Sequence, residues 1–368
     1  MHACSAEAED IADAVERRRR ASFRGYAHFP MGAPSAPVGS PKARSRRNDI
    51  IMPADRKDAT MNERCHLIID SCCDVPPEYL DQEGITLLKF PYIVNNGTFD
   101  DDLFQTITAS EFYGSMRKGA EPSTAQLPVP LLDETFRSAA EKGIPTVYLS
   151  FTSGLSGSYD AAMMVREQIL KEYPDFEFYI VDTLLASIAE GLLVFEAIKQ
   201  WERGLTAKEL ADWATEARNF VDCEFMVEDL NALKRGGRIP KSVAVAGSAL
   251  DVKPLLSIDS EGRLQLVGVA RGRKKGLSQL AAYYDKNVSD TGRGRYVFIG
   301  SSDAPKDVQR LRSLIEKKDG DVMFLEGSIG PVIGSHVGPE MVAVVFWGRD
   351  KRENLSIADK IARKVKGN

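Results

Sequence analysis

Histidine is scarce in this chain: four in 368 residues, three of them before residue 67. That speaks against an HExxH zinc site, and it leaves His336 as the single histidine beyond residue 66 to serve a Ser–His hydrolase. Cysteine is sparse and odd in number, five, with Cys72 and Cys73 adjacent and Cys4, Cys65 and Cys223 scattered. Without a CxxC pair or a Cys/His ligand spacing, no metal site and no disulfide framework are expected; a reducing compartment, the cytoplasm, is. No apolar run reaches the ~18 residues of a membrane span, so no stable membrane insertion is expected. The opening MHACSAEAEDIADAVERRRR lacks the apolar stretch of a secretory signal. There is no GxxxxGK[ST] and no GxGxxG after a strand, which removes support for a P-loop or a Rossmann dinucleotide site. GLSGS is not GxSxG. A net charge of −5 offers no overall basic field for nucleic acid.

What is there is a globular composition, 43% hydrophobic and 27% charged. Residues 1–60 stand apart: RRRR at 17–20 and the Pro/Gly/Ser/Arg-rich FPMGAPSAPVGSPKARSRR read as a disordered tail, or as residues upstream of a true start at Met61. From Cys65 the pattern alternates. HLIID reads as a strand, and Asp74 as the cap of a helix begun by Pro76 and Pro77. LLKFPYIV (87–94), TVYLSF (146–151) and FEFYIVD (176–182) read as strands, with helices at 109–118, 130–142, 156–173, 187–202 and 206–220. Such alternation predicts a mostly parallel sheet covered on both faces. Beyond a boundary near 222 strands are denser: CEFMVED, KPLLSID, RLQLVGVA, RYVFIGS, DVMFLEG and MVAVVFWG, with helices near 227–235, 240–249, 274–288 and 305–318 and a hairpin signal DSEG at 259–262. The expected organisation is α/β in two domains, 61–222 and 223–368, the second with a mixed sheet.

Five segments are candidates for chemistry. FTSGLSGSYDAA (151–162) joins a strand to a helix; its small residues admit a ligand close to the backbone, the helix start offers free N–H groups, and Ser153, Ser156 and Ser158 add hydroxyls. It reads as a carboxylate or phosphate site, with a plain serine-capped helix as the alternative. DSCCDVPP (70–77) is a similar turn, whose Ser71 is a second head-group neighbour if it faces the same cleft; its cysteines read as small packing residues. GAEPSTAQLPVP (119–130) contains Thr124. KRGGRIPK (234–241) and ARGRKK (270–275) are basic clusters in an acidic chain. GSIGPVIGSHVGP (327–339) surrounds His336 with glycines that suit a tight loop presenting an imidazole.

In order and spacing, DSCCDVPP, PSTAQ, TSGLSGSYDAA, IVDTLLASIAEGLLV, LNALKRGGRI with GSALDVKPLL, RGRKK and GPVIGSHVGP resemble the DegV family of fatty-acid-binding proteins over about 61–368. The resemblance implies a two-domain DegV-like fold that holds a long-chain fatty acid between its domains and presents the carboxylate to a separate fatty acid kinase for acyl-phosphate formation. It implies a carrier, not an enzyme, with no cofactor beyond the bound lipid. The implied carboxylate-binding residues are Thr124, Ser156 with the Gly157 amide, and His336, with Ser71 and Ser153 nearby; Arg238 and Arg271 match basic positions near the head group or the kinase. Three departures stand out: Cys72–Cys73 for a small polar pair, AQLPVP after Thr124, and Glu340 where the last loop usually has glycine.

Burial contributes ~0.8 kcal/mol per CH₂, so a tail of roughly sixteen carbons would dominate affinity, while a hydrogen bond to a charged group adds ~1.5–3 kcal/mol and mainly fixes position. A neighbouring carboxylate is expected to raise the pKa of His336 and favour imidazolium. Two other readings remain: an enzyme acting on a small carboxylated or phosphorylated metabolite, and a DNA-binding regulator, which the acidic balance and the lack of a helix-turn-helix signal oppose.

Overall fold

The computed structural model describes residues 64–239, 251–289 and 296–353. The readings for residues 1–60 and the helix expected at 240–249 lie outside them. The first sheet is parallel throughout: β1 (His66–Asp70) lies between β2 (Ile85–Leu88) and β6 (Thr146–Ser150), with β7 (Phe178–Asp182) outside β6. Period-two alternation splits its residues between two cores. Leu67, Ile69, Val147 and Leu149 pack against α4 (Ile188–Glu202) and α5 (Ala207–Ala217). Ile68 and Tyr148 meet α2 (Val129–Lys142) and α3 (Ser158–Glu172) on the other face, which is the two-sided cover expected of a parallel sheet.

The run read as one strand at 87–94 is two. It breaks after Leu88, and β3 (Pro91–Val94) joins a small antiparallel sheet with β4 (Gly97–Asp100) and the two-residue β5 (Ser123–Thr124). Asn95 and Asn96, both at positive φ, make the hairpin turn. The helix expected after Asp74 is a single 3-10 turn, Pro77–Tyr79, and Asp74 does not cap it. Asp74 instead sits at φ 50 after a 3-10 turn, Ser71–Cys73, and its buried carboxylate reaches residues far along the chain.

The second half is built on six strands: β10 (Leu264–Arg271), β9 (Val252–Ile258), β8 (Val221–Met226), β13 (Val342–Trp347), β11 (Tyr296–Ser301) and β12 (Met323–Ser328), in that spatial order. All neighbours are antiparallel except β11 and β12, so the sheet is mixed, as expected. The boundary expected near 222 falls one residue inside β8. Val342, Val344 and Phe346 point to a core closed by α7 (Arg273–Asn287) and α8 (Pro305–Glu316). Cys223, Phe225, Ala343 and Val345 point the other way, into a core shared with the first half. Two short helices complete the frame, α6 (Asn231–Arg235) and α9 (Pro331–Val337), with α1 (Ala109–Arg117) beside the small sheet. No helix among the described residues is long and apolar enough to cross a membrane.

Candidate functional site

Strand β6 delivers the chain to the loop 151–157, and a buried carboxylate fixes where it leaves. Asp70, at the end of β1, accepts from Tyr148 Oη (2.9 Å), Phe151 N (2.8 Å) and Cys72 N (3.1 Å), locking the ends of two adjacent parallel strands together. The loop then turns into α3. Ser158 N donates to Ser156 Oγ (3.2 Å), Ser156 Oγ donates to Ser158 Oγ (3.1 Å), and Leu127 N donates to the same Ser158 oxygen (3.1 Å). The two serines thus tie the loop to the segment that follows Thr124. Gly157 precedes the helix, and a Cβ there would meet only the end of the Gln126 side chain, 2.4 Å from its nitrogen.

From the opposite side Arg238 donates through Nε to Leu155 O (3.2 Å) and through Nη1 to Gly236 O (2.6 Å). Gly236 is itself tight against the imidazole: a Cβ would lie 2.1 Å from His336 Nδ1. His336 projects from α9, and its Nε2 lies 2.8 Å from Thr124 Oγ1. Its Nδ1 is buried without a hydrogen-bond partner. Burial first, then the charges of Arg238 and Arg235, push the His336 pKa down to about 4. This corrects the expectation of a raised value: the charges that act on the ring from the protein are cationic.

These groups line a cavity of about 210 Å³. Thr124, Ser156, Arg238 and His336 all line it, beside Gln126 and Ser187. The rest is apolar: Phe90, Phe151 and Ile188 from the first half, Phe225, Ile258, Leu264, Ala343 and Val345 from the mixed sheet, and Val332, Ile333 and Met341 around α9. The structure therefore gathers four of the expected residues, drawn from positions 124 to 336, at one place. It separates the others. Ser71 is buried and its Oγ accepts from Phe90 N (3.0 Å). Ser153 is exposed and donates to Asp182 Oδ2 (2.5 Å). Arg271 ends β10, exposed, and does not line the cavity. Cys72 lines it and Cys73 packs in the core on the other side; burial raises both thiols well above their ordinary range, as suits packing residues. Glu340 occupies a left-handed position, φ 66, which is why glycine fits there. Its carboxylate accepts from Arg117 Nη2 (2.5 Å), which offsets part of that strain. No cluster of potential metal ligands occurs among the described residues.

The apolar wall escaped the sequence reading, although a signal existed. β13 (VAVVFW) is apolar on both faces, which marks a strand with something to bury on each side, and in β8 Val221, Cys223 and Phe225 share one face opposite Asp222 and Glu224.

His336 gives a direct test. Its folded pKa, about 4, lies below the ordinary 6.5, so its contribution to stability is present above pH 6.5 and is lost as pH falls through 4. A shift of that size corresponds to roughly 3 kcal/mol. His336→Gln in lipid-free protein should flatten urea-unfolding stability between pH 6.5 and 4 relative to the parent; parallel curves would contradict the assignment.

Residues 64–349 match the model of the DegV family, described as an uncharacterised protein family. A DegV domain-containing protein of Clostridium perfringens is 35% identical over 285 residues, covering 77% of this chain and 98% of the relative. Among solved structures, a DegV-family protein from Thermus thermophilus described by its fatty acid binding is 27% identical, with a TM-score of 0.68 over 78% of this chain and 100% of that one. A stearic-acid-binding protein from Eubacterium ventriosum is 25% identical, with a TM-score of 0.67 over 79% and 100%.

Proposed function

The chain belongs to the DegV family, and from that premise we propose that it binds a long-chain fatty acid, tail in the apolar cavity and carboxylate at Thr124, Ser156, the Gly157 amide and His336. The observation that carries this reading is the make-up of the cavity: a largely apolar lining in which Thr124 and His336 lie within hydrogen-bond distance of each other, with Ser156 and Arg238 among the residues that enclose it. A small polar metabolite would leave most of that lining uncovered, which disfavours an enzyme of such substrates. Arg238 supplies fixed positive charge beside the imidazole. An anionic head group there opposes the depression of the His336 pKa, so the ring should titrate higher in loaded protein than in lipid-free protein. The serine and threonine hydroxyls hold one carboxylate oxygen and leave the group beside Arg238 and His336, where a separate kinase can phosphorylate it to an acyl phosphate. The reading is of a carrier with no cofactor of its own and no catalytic residue. It includes a cytosolic location, which free, buried thiols suit.

The decisive test is solvent extraction of the purified protein with identification of bound lipid, followed by native mass spectrometry after incubation with oleate or palmitate. One fatty acid per chain is expected; no lipid in either experiment would overturn the proposal. Ser156→Ala should weaken palmitate binding by about 1.5 kcal/mol, roughly tenfold, in titration calorimetry, with the protein still folded and about 1 kcal/mol less stable for the lost bond from Ser158 N. For the kinase step, a fatty acid kinase should form acyl phosphate only in the presence of the loaded protein.

A further inference from the structure

His336 sits on a helix of seven residues, too short to hold its own orientation by backbone hydrogen bonds. The glycine before it, Gly330, offers no side-chain cap. What fixes the helix comes from the first half of the chain. Asp74 Oδ1 accepts from Gly330 N (2.8 Å) and Asp101 Oδ2 accepts from Val332 N (3.3 Å), so two buried carboxylates satisfy N–H groups that the helix start leaves open. The fit is close: a Cβ on Gly330 would lie 2.5 Å from Asp74 Oδ1 and 3.0 Å from Asp101 Oδ2. Tyr113 Oη donates to Ile329 O (2.5 Å) just upstream, and its ring packs where Gly334 has no side chain.

The same elements hold the other partners of the site. Asp101 directly follows β4, and its backbone N donates to Phe90 O (2.8 Å); β4 pairs with β3, which pairs with β5, which carries Thr124. The small sheet therefore sets the distance between the start of α9, held by Asp101, and the imidazole near its end, facing Thr124. Asp74 has a second tie, since its Oδ2 accepts from Ser187 Oγ (2.5 Å) in the cavity wall. From this we infer that Asp74 and Asp101 are positioning residues for His336, clamping the helix that presents the imidazole to the head group while touching no ligand themselves.

The inference rests on the fatty-acid reading for its binding consequence, but not for its structural one. The test compares Asp74→Ala, Asp74→Asn and Asp101→Asn with the parent. Oleate and oleyl alcohol, which lacks the carboxylate, serve as ligands, and His336 is followed by NMR titration. In Asp74→Ala, oleate binding should fall about tenfold, oleyl alcohol binding should change less than twofold, and the His336 pKa should move toward its ordinary value. Asp74→Asn keeps an acceptor for Gly330 and should restore all three readouts. If Asp74→Ala does not fold, Asp101→Asn takes its place: both Asp101 oxygens accept from backbone N–H groups, Leu103 N (3.0 Å) and Val332 N, and an amide can serve only one of them, so a smaller shift of the same kind is expected in the titration. Equal losses for acid and alcohol, or an unmoved His336 titration, would overturn the inference. Should the parent bind neither ligand, the fatty-acid proposal fails alone, and the titration still decides whether the carboxylates position the ring.

Discussion

Ala343→Phe should weaken palmitate binding more than a hundredfold while leaving the protein folded. Ala343 lies on the cavity face of β13, in register with Phe225 and Gly300 on its two neighbours. A phenyl ring there projects into the slot and not into the packed core on the other side of the sheet. Each methylene that can no longer be buried removes ~0.8 kcal/mol, so excluding about four costs ~3 kcal/mol, which exceeds a hundredfold in affinity. The measurement is calorimetry with saturated acids of increasing length. Affinity should climb with each added carbon in the parent and reach a plateau early in the variant. An unaltered slope would mean that the tail does not occupy this cavity.

Glu190→Gln should remove much of a loss of stability with rising pH that the parent shows. Glu190 lies in the first turn of α4, fully buried, and neither carboxylate oxygen has a hydrogen-bond partner. Burial, with Asp70, Asp74 and Asp182 nearby, raises its pKa well above the ordinary 4.5. For an acid raised in the folded state, the stability it contributes is complete below 4.5 and is lost as pH rises through the folded value. The loss is about 1.4 kcal/mol for each pH unit over which the folded carboxyl stays protonated while the unfolded one is ionised. Asp70 and Asp101, pushed up to about 7 by burial, act with the same sign. His66 and His336, both pushed down to about 4, act with the opposite sign between 4 and 6.5. Urea unfolding at pH 4.5, 6 and 7.5 separates them. Parent and Glu190→Gln should agree at 4.5 and diverge upward, the variant being the more stable at 7.5. Superimposed curves would mean that Glu190 is ionised and paired in solution.

The strands were legible because each buried strand is an apolar run bounded by turn residues, whereas Thr124, Ser156 and His336 were singled out together by the resemblance of the motifs around them to those of the DegV family, not by local pattern. The role of Asp74 was not legible. In sequence it precedes two prolines, the ordinary setting of a cap, whereas its partners are Ser187 and Gly330, 113 and 256 residues away. Local pattern carries no information about contacts at that separation. The misreading of Ser71 has a similar origin: a hydroxyl after a strand can face the cleft or turn to the next strand's backbone, and here it bonds Phe90 N. The split at 89–90 was hidden because LLKFPYIV is apolar on both sides of the break, although Pro91 cannot donate to a ladder and so marks the point where pairing partners change.

The placement of β13 bears on how the protein is made. It is the last strand described, yet it lies in the middle of its sheet, between β8 and β11, both translated earlier. A nascent chain that has emerged only as far as β12 holds a sheet in two unconnected parts, lacks one wall of the slot and has not yet gained the helix bearing His336. Long-range pairing of this kind forms late. On the proposed function, lipid capture must wait for β13, and a chain truncated before residue 342 should be unable to retain a fatty acid even if everything upstream is intact.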